Sequence, residues 1–180
     1  MKRHILTLTL ALGSFTLPLL AADSHDHHAT NSATNPGFEQ LKTLVGTWVV
    51  ADENGRPTDQ VASVYRLTAG GTALEETIFP GQEMEMVSVY VPDGQDVVMT
   101  HYCMLGNQPQ MRAKATKDAK VLDFKFIGGT NLDPAKDKHM HSAVIKFVDQ
   151  DHLEVTGTGW EDGKPSDEMC GSMKYVRKAE

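Results

Sequence analysis

The sequence predicts an all-β protein: an antiparallel, up-and-down β-barrel of about ten strands behind one short N-terminal helix. Three observations lead there. From Thr47 onward, turn signals recur roughly every ten residues, the spacing of a meander. They are Glu53-Asn54-Gly55, Ala69-Gly70-Gly71, Pro80-Gly81, Pro92-Asp93-Gly94, Gly106-Asn107, Lys117-Asp118, Asp149-Gln150-Asp151 and Glu161-Asp162-Gly163. The runs between them alternate on one side, as in Ser63, Tyr65 and Leu67, in Leu122, Phe124 and Phe126, and in Ala143, Ile145 and Phe147. No second helical pattern follows the first, which excludes a parallel crossover sheet. One dry and one wet face over so many strands closes most economically into a barrel, because closure removes exposed edges. A two-sheet sandwich is the competing architecture.

The elements follow in order. Lys2 and Arg3 precede an apolar run over residues 5–20, and Ala21 and Ala22 follow it. That is the order of a secretory signal, so residues 1–22 read as a signal peptide of a periplasmic or secreted protein. The run is short and contains Gly, Ser, Thr and Pro, which argues against a stable membrane anchor. Residues 23–35 form a polar leader with His25, His27 and His28 and no periodicity. Cleavage after Ala22 would put His25 third, where the free amine, two backbone amides and the imidazole supply four planar nitrogens for Cu(II) or Ni(II). Cleavage one residue earlier removes that chelate. Phe38, Leu41, Leu44 and Val45 then recur at helical spacing behind Asn35 and Pro36, so a helix is expected over residues 36–45, stopped by Gly46. The barrel domain takes in residues 36–180.

With 24 acidic against 17 basic residues, the chain has no basic stripe to meet phosphates, and the charge argues against a nucleic-acid partner. The only thiols are Cys103 and Cys170. In an exported protein they are the expected disulfide.

The most varied chemistry sits in residues 97–112, which bring His101, Tyr102, Cys103, Asn107, Gln108 and Arg112 to a strand end and a turn. Polar groups of such variety are costly in an interior without partners, so they point to a lined pocket. Alternation puts Met99, His101 and Cys103 on one face and Thr100, Tyr102 and Met104 on the other, and leaves open which face lines the cavity. His139 and His141 share a face with Ala143 and Ile145. If His101 also points inward, three imidazoles converge as a zinc or non-haem iron site would require; a solvated rim position beside Lys136, Asp137 and Lys138 is the alternative. Glu75 and Glu76 are adjacent and so point to opposite faces, which prevents a carboxylate dyad. Glu83 and Glu85 read as solvent-facing residues flanking a buried Met84 and Met86. No nucleophile elbow, phosphate loop, dinucleotide fingerprint or Cys-x-x-Cys pair is present.

Residues 38–48, Phe-Glu-Gln-Leu-Lys-Thr-Leu-Val-Gly-Thr-Trp, resemble the opening of the calycin superfamily, in which a short helix leads through Gly-x-Trp into the first strand of an up-and-down barrel. The resemblance covers residues 36–177 and is strongest to exported bacterial lipocalin-like domains of unknown function; fatty-acid-binding proteins and nitrobindins are more distant. It implies a barrel with a ligand cavity, with Trp48 plugging the closed end and its indole N–H on a backbone carbonyl. The nitrobindin comparison would imply haem, with His139, His141 or His152 as axial ligand, but the glycines that follow the Trp in that family are replaced by Val49-Val50-Ala51.

Together these features lead to an exported protein that binds a small, largely apolar ligand in its barrel, anchored by His101, Tyr102, Asn107, Gln108, Arg112, His139 and His141. An enzyme using His101 or His139 as acid or base, and a periplasmic metal- or haem-binding protein, are the other readings. Ligand, cofactor and oligomeric state are not determined by the sequence.

Overall fold

A computed structural model describes residues 34–116 and 118–179. The expected signal peptide and the His25 site of the expected leader lie outside the described residues. Helix α1 spans Pro36–Lys42. Ten strands follow: β1 Gly46–Ala51, β2 Pro57–Thr68, β3 Ala73–Ile78, β4 Met86–Asp93, β5 Asp96–Tyr102, β6 Gln108–Ala113, β7 Val121–Thr130, β8 His139–Phe147, β9 His152–Glu161 and β10 Lys164–Arg177. Each pairs antiparallel with its neighbour in sequence, and β1 pairs with β10, so the meander closes into a barrel. The expected architecture is the one found, and the sandwich is excluded.

Helix α1 closes one end. The Asn35 side chain accepts from the Phe38 N–H at 2.8 Å and donates to the carbonyls of Gly94 at 3.1 Å and Asp96 at 2.8 Å. One residue thus caps the helix and ties it to the turn between β4 and β5. Trp48 is fully buried, and its indole N–H donates to the Leu44 carbonyl at 2.8 Å, as the sequence led one to expect. The Arg177 guanidinium lies 4.4 Å from the Trp48 ring centre and donates to the carbonyls of Thr43 at 2.7 Å and Val45 at 3.0 Å. Those carbonyls are turned toward Arg177, and α1 accordingly ends at Lys42, short of the expected residue 45. Gly46 carries the chain from helix to strand at φ +125°, a conformation side chains rarely adopt.

Since β1 leaves this end, the odd-numbered strands run toward the opposite, far end of the barrel and the even-numbered strands return. Paired residues share a face, so the register sorts interior from exterior. Leu74, Tyr90, Met99, Met111 and Phe126 form one inner row across β3 to β7. Two readings of the alternation need correction. Met84 is 43% exposed because residues 79–85 form a turn where a strand was expected, and Leu67 is exposed at the end of β2.

Candidate functional site

A second inner row is polar. Tyr65 on β2 pairs with Glu76 on β3, Glu76 with Ser88 on β4, and Ser88 with His101 on β5. At about 4.8 Å per strand, the row crosses about 14 Å of the barrel wall. All four residues are buried, so the unresolved choice of face on the His101 strand is decided: Met99 and His101 point inward. Glu76 points inward while Glu75 points outward to a bidentate pair with Arg66, both bonds at 2.8 Å. The two carboxylates do lie on opposite faces.

Glu76 accepts three hydroxyl donors: Ser63 and Tyr65 on Oε1, each at 2.7 Å, and Tyr90 on Oε2 at 2.6 Å. None of these donors is charged, and among the described residues Glu76 has no ion pair. Burial first, and the Glu76 charge second, push the Tyr65, Tyr90 and Tyr175 hydroxyls above their ordinary pKa and keep them neutral. The hydroxyls replace the water that a buried carboxylate would otherwise lose.

His101 ends the row. Its Nδ1 lies 3.0 Å from Ser88 Oγ, and burial holds its pKa down at about 4, so the ring is neutral at physiological pH. Among the described residues, two buried side-chain polar atoms lack a hydrogen-bond partner: His101 Nε2 and Asn107 Oδ1. Both belong to the β5–β6 hairpin. The Cys103 N–H donates to the Asn107 carbonyl at 3.1 Å, which sets Asn107 opposite Cys103, two residues beyond His101. Asn107 begins the buried series Asn107, Pro109, Met111, Ala113. Diagonal positions of this kind are about 7–8 Å apart. Because the Asn107 amide nitrogen donates to the Lys138 carbonyl at 2.9 Å, its unpartnered oxygen is an acceptor.

That bond joins the β5–β6 hairpin to the start of β8. There the His139 ring is fully buried, with Nδ1 2.7 Å from the Asp137 carbonyl and Nε2 3.1 Å from His141 Nδ1. A carbonyl only accepts, so His139 Nδ1 carries the proton, its Nε2 accepts from His141, and His141 Nε2 is left with its lone pair. His141 stacks on Trp160 at 3.8 Å and on Phe126 at 4.8 Å. Phe126 belongs to the inner row, so this stack faces the interior. Burial, then the neighbouring His139, lower the His141 pKa. Both His139 nitrogens are engaged, which removes His139 from any three-imidazole shell. Among the described residues, no group of three or more His, Cys, Asp or Glu side chains is arranged to hold a metal ion.

The remaining expected residues lie elsewhere. Tyr102 is 50% exposed, because it is adjacent to inward-facing His101 and so points out. Arg112 points out for the same reason beside buried Met111, and pairs with Asp93 at 2.7 Å and Asp96 at 3.2 Å. Gln108 is at the rim, accepting from the Thr130 hydroxyl at 2.8 Å. The expected Cys103–Cys170 disulfide is not formed; both thiols are free. Cys103 follows β5 and Cys170 lies on β10, five strands away in either direction around the ring. The Cys170 thiol instead donates to the Ser166 carbonyl at 3.1 Å within a bulge of β10. A cleft of about 420 Å³ opens at the helix end, against Gln40, Leu44, Trp48 and Phe147, and none of the seven expected site residues lines it.

Sequence reasoning missed Glu76 as an interior group, together with Tyr90, Ser88 and Tyr175. The available signal was the parity of Glu76 with Leu74 on one strand; its partners come from strands whose register no local pattern fixes. No family model matches the chain, and no curated protein matches it in sequence.

Proposed function

We propose that the chain is an exported, calycin-like barrel that binds a small, largely apolar molecule in the far half of its interior. The observation that carries this reading is the pair of unpartnered buried atoms, His101 Nε2 and Asn107 Oδ1, both on the β5–β6 hairpin. Leaving such a group unsatisfied costs about 1–3 kcal/mol, a cost that a bound molecule with matching groups removes. In this reading Met99, Met111, Phe126 and Trp160 are the apolar and aromatic groups that the ligand would touch. Native mass spectrometry of the protein purified from its own cell envelope tests the reading. A bound small molecule is expected in the wild type and its occupancy should fall in His101→Phe; wild-type protein that carries none, and takes none from an envelope extract, overturns it.

A proton-transfer role is the second reading, favoured by one observation: the Asp137, His139, His141 relay fixes which nitrogen of His141 is free. In that reading His141 is the base and His139 positions it.

A further inference from the structure

The cleft of about 420 Å³ at the helix end has the size of a small-molecule site. Its floor is apolar, formed by the core residues Leu44, Trp48 and Phe147, and half-exposed Val148 is its open apolar wall. Such a surface favours taking the body of an apolar ligand out of water. The backbone around the cleft is already paired. The N–H groups of Thr43 and Leu44 donate to the carbonyls of Gln40 and Leu41, those of Phe147, Val148 and Asp149 donate to the carbonyls of Lys120 and His152, and Arg177 takes the carbonyls of Thr43 and Gln150. Recognition of a ligand therefore falls to the polar side chains of the lining.

Two of these side chains are engaged. The Thr43 hydroxyl donates to the Gln40 carbonyl at 2.7 Å, and the Asp149 carboxylate accepts from the Asp151 N–H and from His152 Nδ1, each at 2.8 Å. Lys120 differs. Its neighbour Asp118 accepts its backbone N–H at 2.9 Å, and among the described residues its ammonium is in no ion pair. Gln40, whose amide makes one long bond of 3.4 Å to Thr43, and Gln150 add amide groups to the same lining. The cleft thus joins an apolar floor to one unpaired cation, while its one carboxylate is already held. We propose, independently of the far-half reading above, that this cleft binds a small apolar carboxylate, with the body of the molecule against Leu44, Phe147 and Val148 and its acid group on Lys120. The ammonium gains the counter-charge it lacks, and an amide N–H can donate to the second carboxylate oxygen.

The test titrates 2-naphthoate and its neutral isostere 2-naphthamide into the mature wild-type protein at neutral pH. Binding is followed by NMR at the indole N–H of Trp48 and the backbone N–H of Val148, with the indole N–H of Trp160 reporting on the opposite end of the barrel. Naphthoate is expected to shift the Trp48 and Val148 signals, to leave Trp160 unmoved, and to bind about threefold or more tighter than the amide. Lys120→Gln, at an exposed position, should remove that preference, and Val148→Asp, also exposed, should weaken both probes. Absence of naphthoate binding in the wild type overturns the site. Equal binding of the two probes, or a preference that survives Lys120→Gln, overturns the assignment of the acid group to Lys120. Shifts at Trp160 and His141 in place of Trp48 and Val148 overturn this location and favour the far-half reading instead.

Discussion

His139 Nε2 accepts the Nδ1 proton of His141 at 3.1 Å, and this one bond sets the chemistry of the far end of the barrel. Because His139 is anchored at its other nitrogen by the Asp137 carbonyl, the direction of the relay is fixed from the backbone outward. Nitrogen-15 NMR of the imidazoles should therefore find His141 protonated on Nδ1 and bare on Nε2 above neutral pH. In His139→Phe that preference should be lost. A proton on Nε2 in the wild type would contradict the relay.

His101 makes stability depend on pH. Its folded pKa, about 4, lies below the ordinary value of 6.5, so the folded state binds fewer protons than the unfolded one. The stability is fully present above pH 6.5 and is lost as pH falls toward 4, by on the order of 3 kcal/mol. Urea denaturation from pH 7 to pH 4 should show that loss, and His101→Gln should flatten this part of the curve. Asp96, held down at about 2 first by its bonds to Lys114 and Ala115, acts in a lower window, between its ordinary 3.8 and 2.

The two tyrosines on Glu76 are not equivalent. Tyr90 is the donor found on Oε2, whereas Oε1 keeps Ser63 when Tyr65 is lost. Tyr90→Phe should cost about 2–3 kcal/mol and Tyr65→Phe about 1 kcal/mol in denaturant unfolding. The reverse order would mean that the carboxylate is held differently.

Arg177 holds the helix end by a planar fork. It stacks on Trp48, donates to Thr43 and Val45, and reaches Asp151 at 3.1 Å. A lysine has neither the fork nor the flat face, so Arg177→Lys should be destabilising by about 1–2 kcal/mol despite keeping the charge. Thermal unfolding of the two proteins at equal ionic strength measures it.

Both cysteines should titrate as free thiols in denatured, unreduced protein. In the native state Cys170 is exposed and should react faster than the half-buried Cys103. A titration that finds no thiol would show a bridge between opposite walls of the barrel, and with it a different packing of β10.

The amino-acid sequence by itself determined the barrel, its helix and its plug. Those depend on local signals: turn residues every ten or so positions, one-sided alternation, and a glycine before Trp48 at the place where the chain must turn. It also located the β5–β6 hairpin as chemically unusual; of the seven side chains chosen there and on β8, His101, Asn107 and His139 are buried and His141 stacks on Phe126 and Trp160. What it left open was the face, since a strand read alone is symmetric between its two sides. Tyr102 and Arg112 lie outside because His101 and Met111 lie inside, and only packing against the other strands decides that. The Tyr65, Glu76, Ser88, His101 row and the opposed positions of Cys103 and Cys170 are likewise properties of register. Register is fixed by the closure of all ten strands into one ring, and closure is a tertiary event that no single segment encodes.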